Sequence, residues 1–321
     1  KDDVVTVHTG DIGVSAIISE ELDGSLGFAT IVTRINDQKI LNPDYLCAFL
    51  NYGGGKEQLY KYSRDARNNL NLADYNRLIV PLPELEKQIE IVNIVNKLKN
   101  LIANRKQEIQ KLDELIKARF VELFGDTVLN PFEWEKDSFG SVCDVRDGTH
   151  DSPKYYEMGY PLVTSKNVTG GKIDLTECAF ICEEDFNKIN ERSKVDNGDI
   201  IMPMIGTVGK PVIVDIEPEF AIKNVALIKF KADSSVLNVY IRALLQSDYF
   251  DDAVLSKVRG GTQKFISLGD IRKLEVLVPP MELQNQFATF VHQVDKSKSI
   301  VQKSLEETQK LFDSLMQKYF G

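Results

Sequence analysis

The feature that most constrains this chain is a segment that occurs twice. Residues 83–125 open Pro83-Glu84-Leu85-Glu86-Lys87-Gln88 and close Leu123-Phe124-Gly125. A diverged copy, 196 positions later throughout, opens Pro279-Pro280-Met281-Glu282-Leu283-Gln284 and closes Tyr319-Phe320-Gly321. Proline near the start, acidic residues in the first turns (Glu84, Glu86, Glu90; Glu282), basic ones in the last (Lys117, Arg119; Lys318) and glycine after the end punctuate one long helix in each copy. Steps of four and three place Ile91, Val95, Leu98, Ile102, Ile109, Leu112, Ile116 and Leu123 on one stripe of the first copy. They place Phe287, Val291, Val294, Val301, Leu305, Phe312, Leu315 and Tyr319 on one stripe of the second. Counting the interruptions Arg105, Arg119, Lys298 and Thr308, sixteen of twenty stripe positions are apolar in a chain that is 43% hydrophobic, the mark of a coiled-coil seam.

A helix of about 40 residues is roughly 60 Å long and cannot bury such a stripe alone. Two copies in one chain have a high effective concentration for each other, and repeats related by a two-fold axis meet head to tail. The expectation is therefore two long helices forming an antiparallel coiled coil within the chain. The other reading is that each joins a different bundle. The interrupting residues either snorkel at the edge of the seam or fix its register.

At 321 residues the chain is long enough for two domains with cores of their own. No run of eighteen apolar residues predicts a membrane span, and Lys1-Asp2-Asp3-Val4 lacks the apolar core of a signal peptide, so a cytoplasmic location is expected. Cys47, Cys143, Cys178 and Cys182 are scattered, and Cys178 and Cys182 have no second pair or nearby histidine, which favours reduced thiols over zinc. A net charge of −9 argues against a free-standing protein that grips nucleic acid by charge alone.

The repeat divides the chain into four parts. Residues 1–82 read as the C-terminal part of a first mixed α/β domain, 83–125 as the first long helix, 126–278 as a second, complete domain, and 279–321 as the second long helix. Gly198-Asp199-Ile200 answers Gly10-Asp11-Ile12, Val225 to Phe230 answers Ala29 to Arg34, Tyr240 to Gln246 answers Tyr45 to Asn51, and Ile266-Ser267-Leu268 answers Leu70-Asn71-Leu72. On this alignment the offset drifts from 188 to 196, which implies short insertions, and the first domain lacks a counterpart of residues 126–196, so about 70 residues are expected to be missing before residue 1. Gly53-Gly54-Gly55-Lys56 lacks the flanking residues of a phosphate loop and reads as a turn. Leu78 to Leu82 reads as a last strand leading into the first long helix.

The second domain carries Asp147-Gly148-Thr149-His150-Asp151-Ser152-Pro153-Lys154-Tyr155, then Gly159-Tyr160-Pro161-Leu162-Val163, Lys166-Asn167-Val168, Gly171-Lys172-Ile173-Asp174, Gly198-Asp199-Ile200, Gly206-Thr207-Val208-Gly209-Lys210 and Gly260-Gly261-Thr262-Gln263. In this order, followed by the Pro-Pro-Met-Glu-Leu-Gln helix start, they resemble the target-recognition domain of the specificity subunit of type I restriction-modification systems. The first domain departs from the pattern: it has no Asp-Gly-Thr-His segment, and Ser25-Leu26-Gly27 stands where a Gly-Thr-x-Gly turn is expected. The resemblance implies a non-catalytic subunit that reads a bipartite site in double-stranded DNA, each recognition domain taking one half and the helix pair setting the gap. It further implies two modification (methyltransferase) subunits bound alongside, restriction (translocase and nuclease) subunits completing the system, no membrane role, and no cofactor on this chain, S-adenosylmethionine being carried by the modification subunits.

The residues themselves agree on the catalytic point. Neither an Asn/Asp/Ser-Pro-Pro-aromatic methyltransferase motif nor a Gly-x-x-x-x-Gly-Lys-Ser/Thr loop is present, and the three histidines His8, His150 and His292 assemble no triad. His150 reads as a structural residue of a turn. The DNA-facing candidates are local excesses of positive charge and amide side chains in loops: Lys257, Arg259, Gln263 and Lys264; Lys154, Tyr155, Lys166 and Asn167; and, in the first domain, Lys61, Arg64, Arg67 and Asn68. An ordinary solvated surface is the alternative for each. At the level of the whole chain the alternatives are a coiled-coil scaffold carrying two protein-binding domains and no nucleic-acid role, and a free-standing enzyme.

Overall fold

The computed structural model of the protein describes residues 1–24, 27–63, 69–204, 210–217, 219–250 and 266–321. The chain is mixed α/β and divides into two units, residues 1–111 with 298–321, and residues 112–297. Two 40-residue helices, α4 (Leu85–Phe124) and the second long helix (Met281–Phe320), each give one end to either unit.

The unit that begins at Lys1 opens with β1 (Val4–Val7), β2 (Ser15–Ile17) and β3 (Thr30–Thr33), an antiparallel sheet in the order β2-β1-β3. Three helices follow, α1 (Pro43–Asn51), α2 (Gly53–Tyr62) and α3 (Leu72–Tyr75). Helix α1 starts where it does because Asn42 accepts a hydrogen bond from the Tyr45 amide and Pro43 occupies the first turn. Its buried face, Tyr45, Leu46, Phe49 and Leu50, shares one core with Ile91, Val95 and Leu98 of α4 and with Phe312, Met316 and Phe320 of the second long helix. The start of one long helix thus packs in the same core as the end of the other, the mark of an antiparallel pair.

The glycine run at 53–55, expected as a turn, is instead the first turn of α2. Proximity explains the glycines: a Cβ on Gly54 would stand 2.1 Å from the Phe320 carbonyl oxygen and one on Gly55 2.0 Å from that of Phe49. The strand expected at Leu78–Leu82 does not form. Pro81 and Pro83 have no amide to donate, and no strand partner for the segment lies among the described residues.

The second unit contains β4 (Glu135–Ser138), α5 (Phe139–Val142), β5 (Asp144–Asp147), β6 (Tyr160–Val163), β7 (Val168–Thr169), β8 (Lys172–Ile173), β9 (Ala179–Ile181) and α6 (Glu183–Ser193). It continues with β10 (Ile200–Pro203), β11 (Val212–Ile213), β12 (Ala221–Ile222), β13 (Val225–Lys229), α7 (Asn238–Leu244), a short helix Leu268–Arg272 and β14 (Glu275–Val278). The central sheet has the order β11-β10-β13-β5; β12-β6-β9, β14-β4 and β7-β8 form three smaller sheets. One core gathers Ile200, Ile228, Tyr240, Ile241 and Val276 with Phe120 and Phe124 from the end of α4 and Phe287 and Val291 from the start of the second long helix. The antiparallel pairing seen at one end of the long helices therefore recurs here. All twenty stripe positions are buried or half-buried.

Strand pairing corrects the alignment of the two halves. Val4 pairs with Thr33 as Ile200 pairs with Ile228, and Val5 with Val32 as Ile201 with Leu227, an offset of 195 or 196 at each residue. Asp2-Asp3-Val4 is therefore the counterpart of Gly198-Asp199-Ile200: Asp2 and Gly198 both have positive φ, 63° and 89°. Asp3 is held by Arg34 as Asp199 is by Lys229. The hydrogen bonds from Arg34 hold the Asp3 carboxyl below the usual range, whereas burial pushes that of Asp199 up against the pull of Lys229. In sequence Gly10-Asp11-Ile12-Gly13 stands 196 positions before Gly206-Thr207-Val208-Gly209, so the offset does not drift from 188; Ser25 and Leu26 of the expected glycine turn lie outside the described residues.

The glutamine that opens each long helix is wholly buried and does one job twice. Gln88 Oε1 accepts from the Asn42 amide at 2.9 Å, and Nε2 donates to the carbonyls of Ile40 and Pro83 at 2.8 Å each. Gln284 Oε1 accepts from the Leu237 amide at 2.8 Å, and Nε2 donates to Ser235 and Pro279 at 2.9 Å each. Each glutamine satisfies backbone groups where helix and globular body meet, out of reach of water.

Candidate nucleic-acid interface

The Asp-Gly-Thr-His loop of the second unit leaves β5 and is pinned to the chain between β12 and β13. The Thr149 amide donates to the Ile222 carbonyl at 3.0 Å and the Asn224 amide to that of Thr149 at 3.2 Å. Gly148 is required by contact, since a Cβ would lie 2.3 Å from the Ile222 oxygen. His150 Nδ1 is 2.8 Å from Asn224 Oδ1, and its Nε2 is 2.8 Å from Asp147 Oδ2. With an acceptor oxygen at each ring nitrogen, the charged imidazolium fits, and the Asn224 and then the Asp147 hydrogen bonds raise the His150 pKa. Arg192 closes the network by donating to Asp147 Oδ1 at 2.5 Å and to the Gly148 carbonyl at 3.1 Å. Between this loop and α6 lies an open cleft of ≈ 430 Å³, with Ser152, Lys188 and Arg192 on its walls.

Beyond the loop the chain displays an exposed strip. Lys154 sits 5.4 Å from the centre of the Tyr156 ring, Tyr155 and Tyr156 are exposed, and Met158 is 85% exposed. The strip is fixed downstream by the Tyr156 amide, which donates to the Phe180 carbonyl at 2.9 Å. Lys166 is exposed in the turn before β7, whereas Asn167 is 8% exposed and its Oδ1 accepts from the Thr164 amide and hydroxyl, closing a capping box. The fold thus uses the Asn167 acceptor internally, while Lys154, Tyr155 and Lys166 face solvent.

In the first unit Lys61 is exposed in the last turn of α2. The other candidates, Arg64, Arg67, Asn68, Lys257, Arg259, Gln263 and Lys264, lie outside the described residues. Sequence reasoning missed Gln88 and Gln284, although the identical residue at the identical offset was a signal, and it missed the cluster of His8, Thr9 and Asn69, whose members are 60 positions apart and come together only by folding. Among the described residues no group of three or more His, Cys, Asp or Glu could hold a metal ion. No helix among them is long and apolar enough to cross a membrane.

Comparison with known proteins agrees with this architecture. The specificity subunit of the type I restriction enzyme MjaVIII of Methanocaldococcus jannaschii is 25% identical over 75% of this chain and 61% of its own length. That of EcoKI from Escherichia coli K12 is 21% identical over 100% of this chain and 74% of its own. The chain thus aligns with between about three fifths and three quarters of these two relatives. Among solved structures, the S subunit of a type I restriction-modification system from M. genitalium has a TM-score of 0.62 at 15% identity, covering 100% of this chain and 83% of that one, and shows the same fold. A second, from work on the assembly and conformational transition of the type I system, has a TM-score of 0.59 at 20% identity, covering 99% of this chain and 81% of that one. The family model for the type I restriction modification DNA specificity domain matches residues 1–114 and again 131–310. Two matches over a duplicated fold, with each long helix opened by the same buried glutamine, place the chain in the family of type I restriction-modification DNA specificity domains.

Proposed function

We propose that the chain is the non-catalytic sequence-reading subunit of a type I restriction-modification complex. Its two recognition domains, residues 1–82 and 126–278, each read one half of a bipartite site in double-stranded DNA, and the helices of 83–125 and 279–321 set the gap between the halves. Two modification subunits dock alongside, carry S-adenosylmethionine and methylate, and restriction subunits complete the system in the cytoplasm. The observation that carries this reading is the repeat itself: one sheet-and-helix unit built twice at an offset of 195 or 196 residues.

The net charge of −9 adds a condition. A chain that makes few phosphate contacts of its own binds duplex DNA weakly at physiological salt and needs its partners for affinity. The test is methylome sequencing of cells that express the chain with its modification subunits, beside a variant with seven residues inserted in register in both long helices. The expected result is a two-part methylated motif whose gap lengthens in the variant while both halves keep their sequence. A contiguous motif, or an unchanged gap, would overturn the proposal.

A further inference from the structure

We infer that His8, Thr9 and Asn69 form a base-reading patch of the first unit, with the Asn69 carboxamide facing an adenine edge. This rests on the DNA-reading role proposed above. The three residues are brought together by backbone. The Leu70 amide donates to the His8 carbonyl at 2.9 Å, and Thr9 and Asn69 form an isolated antiparallel bridge. The turn that follows is shaped by Gly10 and Gly13, both at φ 87°, and it sits against α2, where a Cβ on Gly13 would meet Leu59 Cδ1 at 2.9 Å. The patch therefore stands on a packed platform.

Its side chains are already organised. Thr9 Oγ1 is 2.9 Å from His8 Nδ1 and donates to Asn69 Oδ1 at 3.3 Å; His8 Nδ1 is 3.4 Å from the same Oδ1. Thr9 and Asn69 are exposed and His8 is half-buried. The Asn69 amide nitrogen and His8 Nε2 have no protein partner among the described residues. A carboxamide held through its oxygen, whose N–H donors have no partner among the described residues, can donate to adenine N7 and, in the tautomer that leaves His8 Nδ1 unprotonated, accept from adenine N6 with the second lone pair of Oδ1. Orienting it in advance reduces the entropy lost on binding.

The repeat carries the junction without the polar side chains: 196 positions after His8, Thr9 and Asn69 stand Met204, Ile205 and Phe265, so the patch is particular to the first unit. In the second unit the Ile266 amide donates to the Met204 carbonyl at 3.0 Å, the counterpart of the Leu70–His8 bond at an offset of 196. The residues near that bond in sequence are Gly206-Thr207-Val208-Gly209 on one side and Gly260-Gly261-Thr262-Gln263 on the other, both outside the described residues.

The test is selection of a randomised duplex library by the chain bound to its modification subunits, for wild type, Asn69→Ala, Asn69→Gln and His8→Ala. Asn69→Ala is expected to lower discrimination at one base pair of one half-site by about 5- to 150-fold, leaving the other half-site and assembly of the complex unchanged. Asn69→Gln, which keeps the amide but moves it outward, is expected to change preference at that same base pair, and it serves should the alanine variant fail to fold. His8→Ala should weaken discrimination there by a smaller factor. Unaltered preference in folded Asn69 variants, or an equal loss at every position, would overturn the inference while leaving the DNA-reading role intact. Failure of the wild-type complex to select any sequence would overturn both.

Discussion

Replacing Gln284 by glutamate keeps the shape of the side chain and inverts half of its hydrogen bonding. The Oε1 that accepts from the Leu237 amide survives, but a carboxylate oxygen now faces the carbonyls of Ser235 and Pro279, to which Nε2 donates at 2.9 Å in the native protein. The site is fully buried, so no water relieves the clash. Two buried carbonyls left without a donor, at about 2 kcal/mol each, cost about 4 kcal/mol. The side chain has one escape, which is to stay protonated. Holding the proton to pH 7 against an ordinary glutamate pKa of about 4.3 costs about 3.7 kcal/mol at 1.36 kcal/mol per pH unit, and the single acid proton still leaves one of the two carbonyls without a donor, so protonation brings no relief at neutrality. The sign follows from linkage: the folded-state pKa of the introduced acid lies above its unfolded value, so below about pH 4 the deficit relative to wild type falls to that of the one carbonyl a single acid proton cannot serve, and it grows as pH rises towards neutrality. Thermal unfolding of Q284E and wild type between pH 4 and 7.5 should show a gap of roughly 8–16 °C at pH 7, at about 2–4 °C per kcal/mol, narrowing but not vanishing at low pH. Hydrogen exchange at the Leu237 amide should accelerate in parallel. Wild-type stability of Q284E at pH 7, or a deficit independent of pH, would refute the assignment of the buried amide as a clamp.

Two further outcomes are expected. Tyr240 and Tyr45 are counterparts and both fully buried, but the Tyr240 hydroxyl donates to the Leu277 carbonyl at 2.9 Å while the Tyr45 hydroxyl has no partner among the described residues; Tyr240→Phe should cost about 1 kcal/mol in denaturant unfolding and Tyr45→Phe nothing, or bring a small gain. His150, whose pKa is raised by Asn224 and Asp147, contributes loop stability that is complete below its unfolded value of about 6.5 and is lost as pH rises through the folded one, so exchange protection of the Asn224 amide should fall over that range in wild type and not in His150→Gln.

Part of this structure was legible in the residues. The stripe from Ile91 to Leu123 and its copy from Phe287 to Tyr319 mark the faces the two long helices bury, because a period near 3.5 carries the same meaning in any surroundings. Asp-Gly-Thr-His marked its own loop, since the glycine is demanded by the Ile222 carbonyl and the histidine by two acceptors. Other expectations failed for reasons no local pattern contains. Gly10-Asp11-Ile12 and Gly198-Asp199-Ile200 look like equivalents, but cross-strand pairing assigns Asp2-Asp3-Val4 to the latter. A tripeptide identity is too short to outweigh sheet register. Leu78–Leu82 has the composition of a strand and no strand partner among the described residues, its Ile79 amide and carbonyl bonding the Gln58 side chain instead, whereas its counterpart Glu275–Val278 pairs with β4. Asn167, expected to face DNA, is 8% exposed and its side-chain oxygen serves a capping box.

The sequence by itself determined that there are two long helices, where each begins and ends, and that the chain is built on a duplication, because periodicity, caps and repeats are properties of neighbours along the chain. Only the tertiary structure decided the register of the two halves, the task of Gln88 and Gln284, and the meeting of His8 and Thr9 with Asn69. Each of these depends on a carbonyl, amide or strand edge supplied from a distant part of the chain, and hydrogen-bond geometry at that range is set by packing rather than by spacing.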